Sequence, residues 1–257
     1  ASHTHLARLV AILRGGDPRY TIIAKGNSKL GNKFLAFSTL PATAPGGAGC
    51  PGAGDCVTFC YSRKAWRYPA AFCRQAQNSY LMQTSAGRAA IAADLARKAP
   101  GYKIFRLYVD GDFPARPPVD GRGDFAFWMD QLRTHYSLNG YGYTKSFTQV
   151  IAYKGAIPNN YLLNVSSGHN HSPATVAAVK RRQVSRGDFI AVDYAPVHSM
   201  AQHGDRAHRA RLVKAHRAAT GRKAFACPGA CNTCTPNHGH ACGSERFRGL
   251  DIIIAAH

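Results

Sequence analysis

The sequence predicts an α/β fold: a mainly parallel sheet, open or curved into a partial barrel, with covering helices and two cysteine-rich metal-binding loops. Three observations predict it. Short β-branched or aromatic runs alternate with helix-length amphipathic segments, the pattern of crossover connections between parallel strands. Polar loops recur directly after the strand candidates. All eight cysteines fall into two groups, Cys50, Cys56, Cys60 and Cys73 in one and Cys227, Cys231, Cys234 and Cys242 in the other.

Taken in order, Leu6, Leu9, Val10 and Leu13 form an i, i+3, i+4, i+7 stripe that predicts a helix over 4–13, stopped at Gly15-Gly16-Asp17-Pro18. Runs 20–24 and 34–40 have strand length and composition, and Pro41 ends the second. A Gly/Pro/Ala-rich loop then delivers the first cysteines. Helices are expected over 69–83 and over 85–99, the latter capped by Ser85. Run 102–109 reads as a buried strand ending on Asp110-Gly111-Asp112-Phe113. A helix over 125–136, strands over 142–147 and 161–165, and a helix opening at Pro173 follow. A strand over 189–194, a basic helix over 205–219, a run over 223–226 that leads into the second cysteine group, and a closing strand over 250–255 complete the chain. The strands from 102 to 194 are expected as neighbours, because their connections are long enough for crossovers and too long for hairpins. Residues 1–24 read as an N-terminal helix and strand extension and 25–257 as one domain.

The 257 residues contain no apolar run of about eighteen, so no membrane-spanning helix is expected. The opening residues lack the basic-then-apolar order of a signal peptide, which points to the cytoplasm, where clustered thiols bind metal more often than they form disulfides. Lys and Arg number 33 against 13 Asp and Glu, a formal charge of +20. Such an imbalance repels itself in a compact fold and calls for a polyanionic partner, DNA or RNA before a membrane surface. Lys180, Arg181 and Arg182 precede a helix in which Arg206, Arg209, Lys214 and Arg217 recur at helical spacing. These seven are the candidate nucleic-acid contacts. No helix-turn-helix, zinc-finger or RNA-recognition signature accompanies them, so phosphate contact rather than base readout is expected. Oligomeric state is not determined by the sequence.

The cysteine loop 50–61 is too poor in apolar residues to fold around its own side chains, and metal–sulfur bonds would replace the missing packing. The spacings are C-x5-C-x3-C-x12-C and C-x3-C-x2-C-x7-C. Structural zinc usually takes paired C-x2-C knuckles, and only Cys231 and Cys234 make one. Uneven spacing suits cubane clusters, so two [4Fe–4S] clusters are the expectation and zinc the alternative. Cys227, Cys231 and Cys234 also have the spacing of radical S-adenosylmethionine enzymes, with Cys242, His238 and His240 available to close the site.

Asn27-Ser28-Lys29-Leu30, then Phe37-Ser38 and Leu40-Pro41-Ala42, then Cys50-Pro51-Gly52-Ala53 and Cys60-Tyr61 follow one another in a characteristic order. Gly111-Asp112-Phe113, Tyr143-Thr144-Lys145-Ser146 and Ser166-Ser167-Gly168 continue it. In these motifs the chain resembles the gene-product-88 domain family of bacteriophages and plasmids, over roughly residues 25 to 257, departing by an insertion over 114–123 and by its basicity. The resemblance implies an origin in a mobile element and names no reaction.

Asp110, Asp112, Lys145 and Asp193 lie at strand ends, where acids would bind a divalent metal or act as general base, or where Asp112 would cap its own turn. His169 and His171 lack the apolar residue between them that nuclease histidine pairs have. Three functions compete: an iron–sulfur protein that binds nucleic acid, a radical-type enzyme, and a metal-dependent nuclease or replication enzyme.

Overall fold

The computed structural model describes residues 3–14, 18–26, 34–42, 49–58, 60–182, 188–192, 205–229, 241–244, 247 and 249–255. Among them, eight strands form one sheet: β1 (Ala24–Lys25), β2 (Phe34–Ala36), β3 (Ile104–Arg106), β4 (Asn139–Thr144), β5 (Tyr161–Ser166), β6 (Asp188–Val192), β7 (Ala224–Ala226) and β8 (Asp251–Ala255). Their order is β1-β2-β3-β4-β5-β6-β8-β7, and every pair is parallel except β1 with β2. The expected adjacency of the four central strands holds.

From β2 to β6 sequence order and spatial order coincide. Crossovers of one hand between successive neighbours put every connecting helix on the same face. The packing agrees. Leu35, Phe37, Phe105, Leu107, Leu163 and Val165 share a core with α1 (His3–Arg14), α3 (Pro69–Leu81), α4 (Ser85–Lys98), α5 (Asp124–Thr134), α6 (Phe147–Ala152) and α7 (Pro173–Arg181). Its centre is Trp128, fully buried with its ring 4.6 Å from Phe37 and 5.6 Å from Phe105. The alternate residues Phe34, Ala36, Ile104, Tyr141, Tyr143 and Leu162 form a second, smaller cluster on the opposite face, with Cys242 packed against it. The short α2 (Ser62–Ala65) follows the first cysteine loop, and α8 (Arg206–Thr220) lies against β7. Leu9 and Leu13 of α1 join the main core, as the stripe predicts.

Several boundaries differ from the expectation, each for a local reason. Run 20–23 is not a strand: the Tyr20 N–H and C=O pair with the Gln77 side chain, Ile22 O accepts from Asn78, and Ile23 N donates to Asp94. Side chains of α3 and α4 satisfy groups a strand partner would have taken. The cap of α4 is Thr84, whose hydroxyl accepts from Gly87 N, while Ser85 donates to Asp120. Strand β4 begins earlier and ends at Thr144, and Phe147 opens α6, a helix the apolar pattern did not announce. Strand β3 stops early because Tyr108 adopts φ 52, which turns Tyr108 and Leu107 into the same core. The Tyr108 hydroxyl then accepts from Trp128 Nε1 at 3.3 Å. None of the helices described is long and apolar enough to cross a membrane.

Candidate functional site

The turn at Tyr108 is where the site begins. It carries Val109 onto the second face of the sheet and brings Asp110, Gly111 and Asp112 over the end of β4. Gly111 has φ 78, and a Cβ there would lie 2.1 Å from Thr39 Oγ1, so glycine alone fits. Asp112 is buried. Its Oδ1 accepts from Phe113 N and Thr144 Oγ1, both at 2.8 Å, and its Oδ2 from Lys145 N at 2.6 Å and Ser146 N at 3.2 Å. Burial pushes its carboxyl above the ordinary value, with these donors opposing the shift. Asp110 accepts from Ser62 Oγ at 2.6 Å. Both carboxylates thus tie strand ends and loops together. The arrangement matches the turn-capping alternative for Asp112.

The bonds to Asp112 fix Lys145 by its own N–H, and His171 Nε2 donates to the Lys145 carbonyl at 2.6 Å. The ammonium then reaches Ser166 Oγ at 2.8 Å. His171 stacks on Phe147 at 4.6 Å and donates its backbone N–H to His169 Nδ1 at 3.2 Å. Burial, and then the nearby His171 and Lys145, hold the His169 imidazole below its usual range, so it is neutral and carries its proton on Nε2.

The first cysteine loop lies across these strand ends. Asp112 N donates to Gly49 O at 2.9 Å, Asn170 N to Gly52 O at 3.1 Å, and Gly54 N to Gly168 O at 2.9 Å, while Ala53 bridges His169. Cys50 sits where Asp112, Lys145 and Cys60 all influence its thiol, and burial followed by Asp112 pushes that thiol far up. Tyr61 donates its hydroxyl to Val109 O, and burial and Asp110 raise its pKa. Cys56 packs against Gly168. Cys73 is buried in α3, its thiol beside the Tyr20 hydroxyl, whose pKa it raises. Among the described residues, no three Cys, His, Asp or Glu side chains converge closely enough to share an ion.

Of the second cysteine group, Cys227 ends β7, with its N–H on Ile253 O and its sulfur accepting from Gly229 N at 3.4 Å. Cys242 lies in a 3-10 turn (Ala241–Gly243) across β4 and β5, and Asn164 Nδ2 donates to its carbonyl at 3.2 Å. Cys231, Cys234, His238 and His240 lie outside the described residues, as do Asp193 and the stretch 27–30.

Helix α8 forms as its residues dictate. Asp205 caps it by accepting from Ala207 N and His208 N, and Gly221 ends it in the left-handed conformation. Arg206, Arg211, Lys214 and Arg217 are exposed, while Arg209, Leu212, Val213 and His216 are half-buried. At its C-terminal end His216 Nε2 donates to Asp251 Oδ2 at 2.8 Å, and Arg222 forks onto both Asp251 oxygens at 2.9 and 2.6 Å. Burial pushes the Asp251 carboxyl up, but Arg222, the Asp188 N–H and His216 outweigh it and hold the group low. The earlier cluster is more committed: Lys180 pairs with Asp188 at 2.9 Å, and Arg182 donates to the carbonyls of Tyr153 and Gly155. Arg181 is exposed.

Sequence reasoning missed Asn164, Ser166 and Arg106. The signal was available in run 161–166: with Leu163 and Val165 turned to one core, Asn164 and Ser166 must share the other face. In comparison with known families, residues 21–247 match the family described as Gene product 88. No curated protein and no solved structure matches the chain.

Proposed function

We propose that this chain, which belongs to the Gene product 88 family, binds nucleic acid through the phosphate backbone, with α8 as its main contact surface and its cysteines holding iron–sulfur clusters. The family suggests a phage or plasmid origin, where nucleic acid is the ordinary partner. The observation that carries the reading is the row of exposed cations on α8 in a chain of net charge +20. Arg206, Lys214 and Arg217 recur along one stripe, with Arg209 at its inner margin. A helix anchored through His216 and Arg222 presents them without first having to order itself.

Affinity should fall steeply with salt, because each contact releases condensed counterions: about six neutralised phosphates cost roughly a thousandfold between about 50 and 200 mM. Changing Arg206 and Arg217 to alanine should flatten the slope by about two units without changing sequence preference. The measurement is a salt titration of binding to duplex DNA, single-stranded DNA and RNA. Binding to none of them at low salt defeats the reading, and an unchanged slope moves the contact off α8.

For the cofactor, Cys50, Cys56, Cys60 and Cys73 are proposed for one cluster and Cys227, Cys231, Cys234 and Cys242 for the other. The first set is supported by its grouping in the sequence, and its side chains would have to turn toward one another, since among the described residues no three Cys, His, Asp or Glu side chains converge. Anaerobically purified protein should carry about eight iron and eight sulfide per chain if both clusters are present. Stoichiometric zinc without sulfide would replace this reading.

A second reading, an enzyme with one cluster iron left open for S-adenosylmethionine, is favoured by a specific feature. That feature is the C-x3-C-x2-C spacing of Cys227, Cys231 and Cys234, of which Cys227, directly after β7, lies among the described residues. A nuclease gains no such support, since Asp112 spends both oxygens on internal donors and Asp110 one of its two on Ser62.

A further inference from the structure

Among the described residues, three large apolar side chains stand exposed: Tyr61, Tyr68 and Tyr136. A solitary exposed aromatic such as Tyr136 needs no explanation. The other two belong to one continuous series of turns, with Arg63 and Arg67 exposed between them. Backbone bonds from Arg63 N to Cys60 O, Trp66 N to Arg63 O and Tyr68 N to Ala65 O, at 3.3, 3.2 and 3.0 Å, close those turns. From residue 56 to residue 93 the chain has no Asp or Glu. The same stretch holds Arg63, Lys64, Arg67 and Arg74, besides Arg88, which is buried with Asp124. Asp110, which meets the turn at Ser62, accepts from its Oγ at 2.6 Å.

The two tyrosines leave from fixed backbone. Tyr61 donates its hydroxyl to Val109 O, so its tip is anchored while the residue stays 43% exposed. Trp66 packs inward, edge-on to Phe72 at 5.3 Å, with its Nε1 donating to Gln75 at 2.9 Å. Tyr68 is extended and caps α3 directly before Pro69, and the Arg67 guanidinium lies over its ring at 5.9 Å. Tyr68 is nonetheless 63% exposed. Exposed rings on an ordered backbone, with guanidinium groups beside them, are the parts of a stacking platform for nucleic-acid bases.

We infer that residues 61–68 form a second contact surface, one for unpaired strands, on which Tyr68 and Tyr61 stack against bases while Arg63 and Arg67 meet the phosphates. In a duplex the faces of each base are covered by the neighbouring pairs, and only an unpaired base has a face to offer. An anionic membrane would attract the same cations, but it takes up the apolar face of a helix. Here α2 is four residues long, and the tryptophan that follows it is turned inward. The inference rests on the nucleic-acid reading above but not on α8, and adds which form of nucleic acid the chain prefers.

The test is fluorescence-anisotropy titration of the full chain at low salt with three probes: oligothymidylate of about 16 nucleotides, an abasic strand of that length, and a duplex of that length. Oligothymidylate should bind roughly fivefold or more tightly than the abasic strand, because only it can stack. Tyr68→Ala should weaken oligothymidylate by roughly fivefold to a hundredfold and leave the other two probes within about twofold. Tyr68→Phe, which keeps the ring, should bind like the wild type. The salt slope of Tyr68→Ala should be unchanged, since a tyrosine releases no counterion. If Tyr68→Ala melts early, the comparison of oligothymidylate with the abasic strand on the wild type decides. The inference is overturned if the abasic strand binds as tightly as oligothymidylate, or if a folded Tyr68→Ala binds oligothymidylate like the wild type. It is equally overturned if that variant loses binding only to phosphatidylserine vesicles. Loss of stacking in Tyr68→Ala together with an unchanged slope in the Arg206 and Arg217 variant would count against α8 alone, whereas no binding to any probe defeats both readings.

Discussion

Replacing Asp124 by alanine should lower the melting temperature by roughly 10 °C, the largest stability loss expected from a single charged residue here. Its side chain is 1% exposed and serves two guanidinium groups: Arg88 NH2 lies 2.6 Å from Oδ1, and Arg116 contacts both oxygens. Arg88 is itself buried and also donates to the carbonyls of Met82 and Arg122, while Arg116 donates to Ser79 O. Burial works against the Arg88 charge, and Asp124 opposes that loss. Removing the carboxylate would strand both cations in the core, and breaking a buried pair in this way typically costs about 3–5 kcal/mol. The exposed pair of Arg122 with Asp130, 3.5 Å apart, is the comparison. Asp130→Ala should cost no more than about 1 kcal/mol. Equal losses for the two variants, by thermal melting, would refute the assignment.

That ion cluster explains how the insertion over 114–123 is accommodated. Its tip, Val119-Asp120-Gly121-Arg122, folds into a two-residue hairpin turn with φ 50 at Asp120 and φ 71 at Gly121, the conformation that an Asp-Gly pair favours. Arg116 enters the cluster from inside the insertion, and Asp120 accepts from Ser85. The segment is bound to α4 and α5 as part of the fold.

The parallel sheet was legible because its signal is local. β-branched and aromatic runs such as those before Asp110 and Ser166 have one reading as strands, and connection length forces crossovers. The strand-end placement of Cys50, Asp112, Lys145 and His169 followed from the same logic. What a one-dimensional pattern could not show were pairings between distant segments. Gln77, Asn78 and Asp94 satisfy backbone around residues 20–23 from α3 and α4, and nothing near Tyr20 announces this. The left-handed turn at Tyr108 is equally silent, since aromatic residues rarely take positive φ. It is decided by the Trp128 pocket that receives the ring. Spacing placed Cys73 with the cysteine loop, but spacing does not say which side of α3 the thiol leaves from, and the helix turns it toward Tyr20. Likewise Arg209 shares the stripe of cations on α8, yet the helix rolls it partly toward the sheet.

Gly52→Ala should release the first cysteine loop from the strand ends. A Cβ at Gly52 would lie 1.7 Å from the Lys145 carbonyl oxygen and 2.4 Å from His171 Nε2. The oxygen belongs to backbone held on one side by Asp112 and on the other by His171, so neither neighbour can give way cheaply. The loop must lift instead, with loss of the Asn170-to-Gly52 hydrogen bond, the Ala53–His169 bridge and the Gly54-to-Gly168 hydrogen bond. The consequence is chemical as well as structural. The Cys50 thiol is held protonated by burial and by Asp112, and both causes weaken once the loop moves into solvent. In metal-free protein, alkylation of Cys50 should therefore be at least tenfold faster in the variant, the change that about 1.4 kcal/mol in the docking equilibrium produces. Gly101→Ala is the control: nothing lies within 4 Å of a Cβ there, so its reactivity should match the wild type. Residue-resolved alkylation by mass spectrometry reads both variants, and an unchanged Cys50 rate in Gly52→Ala would mean that the loop does not depend on this close approach for its position.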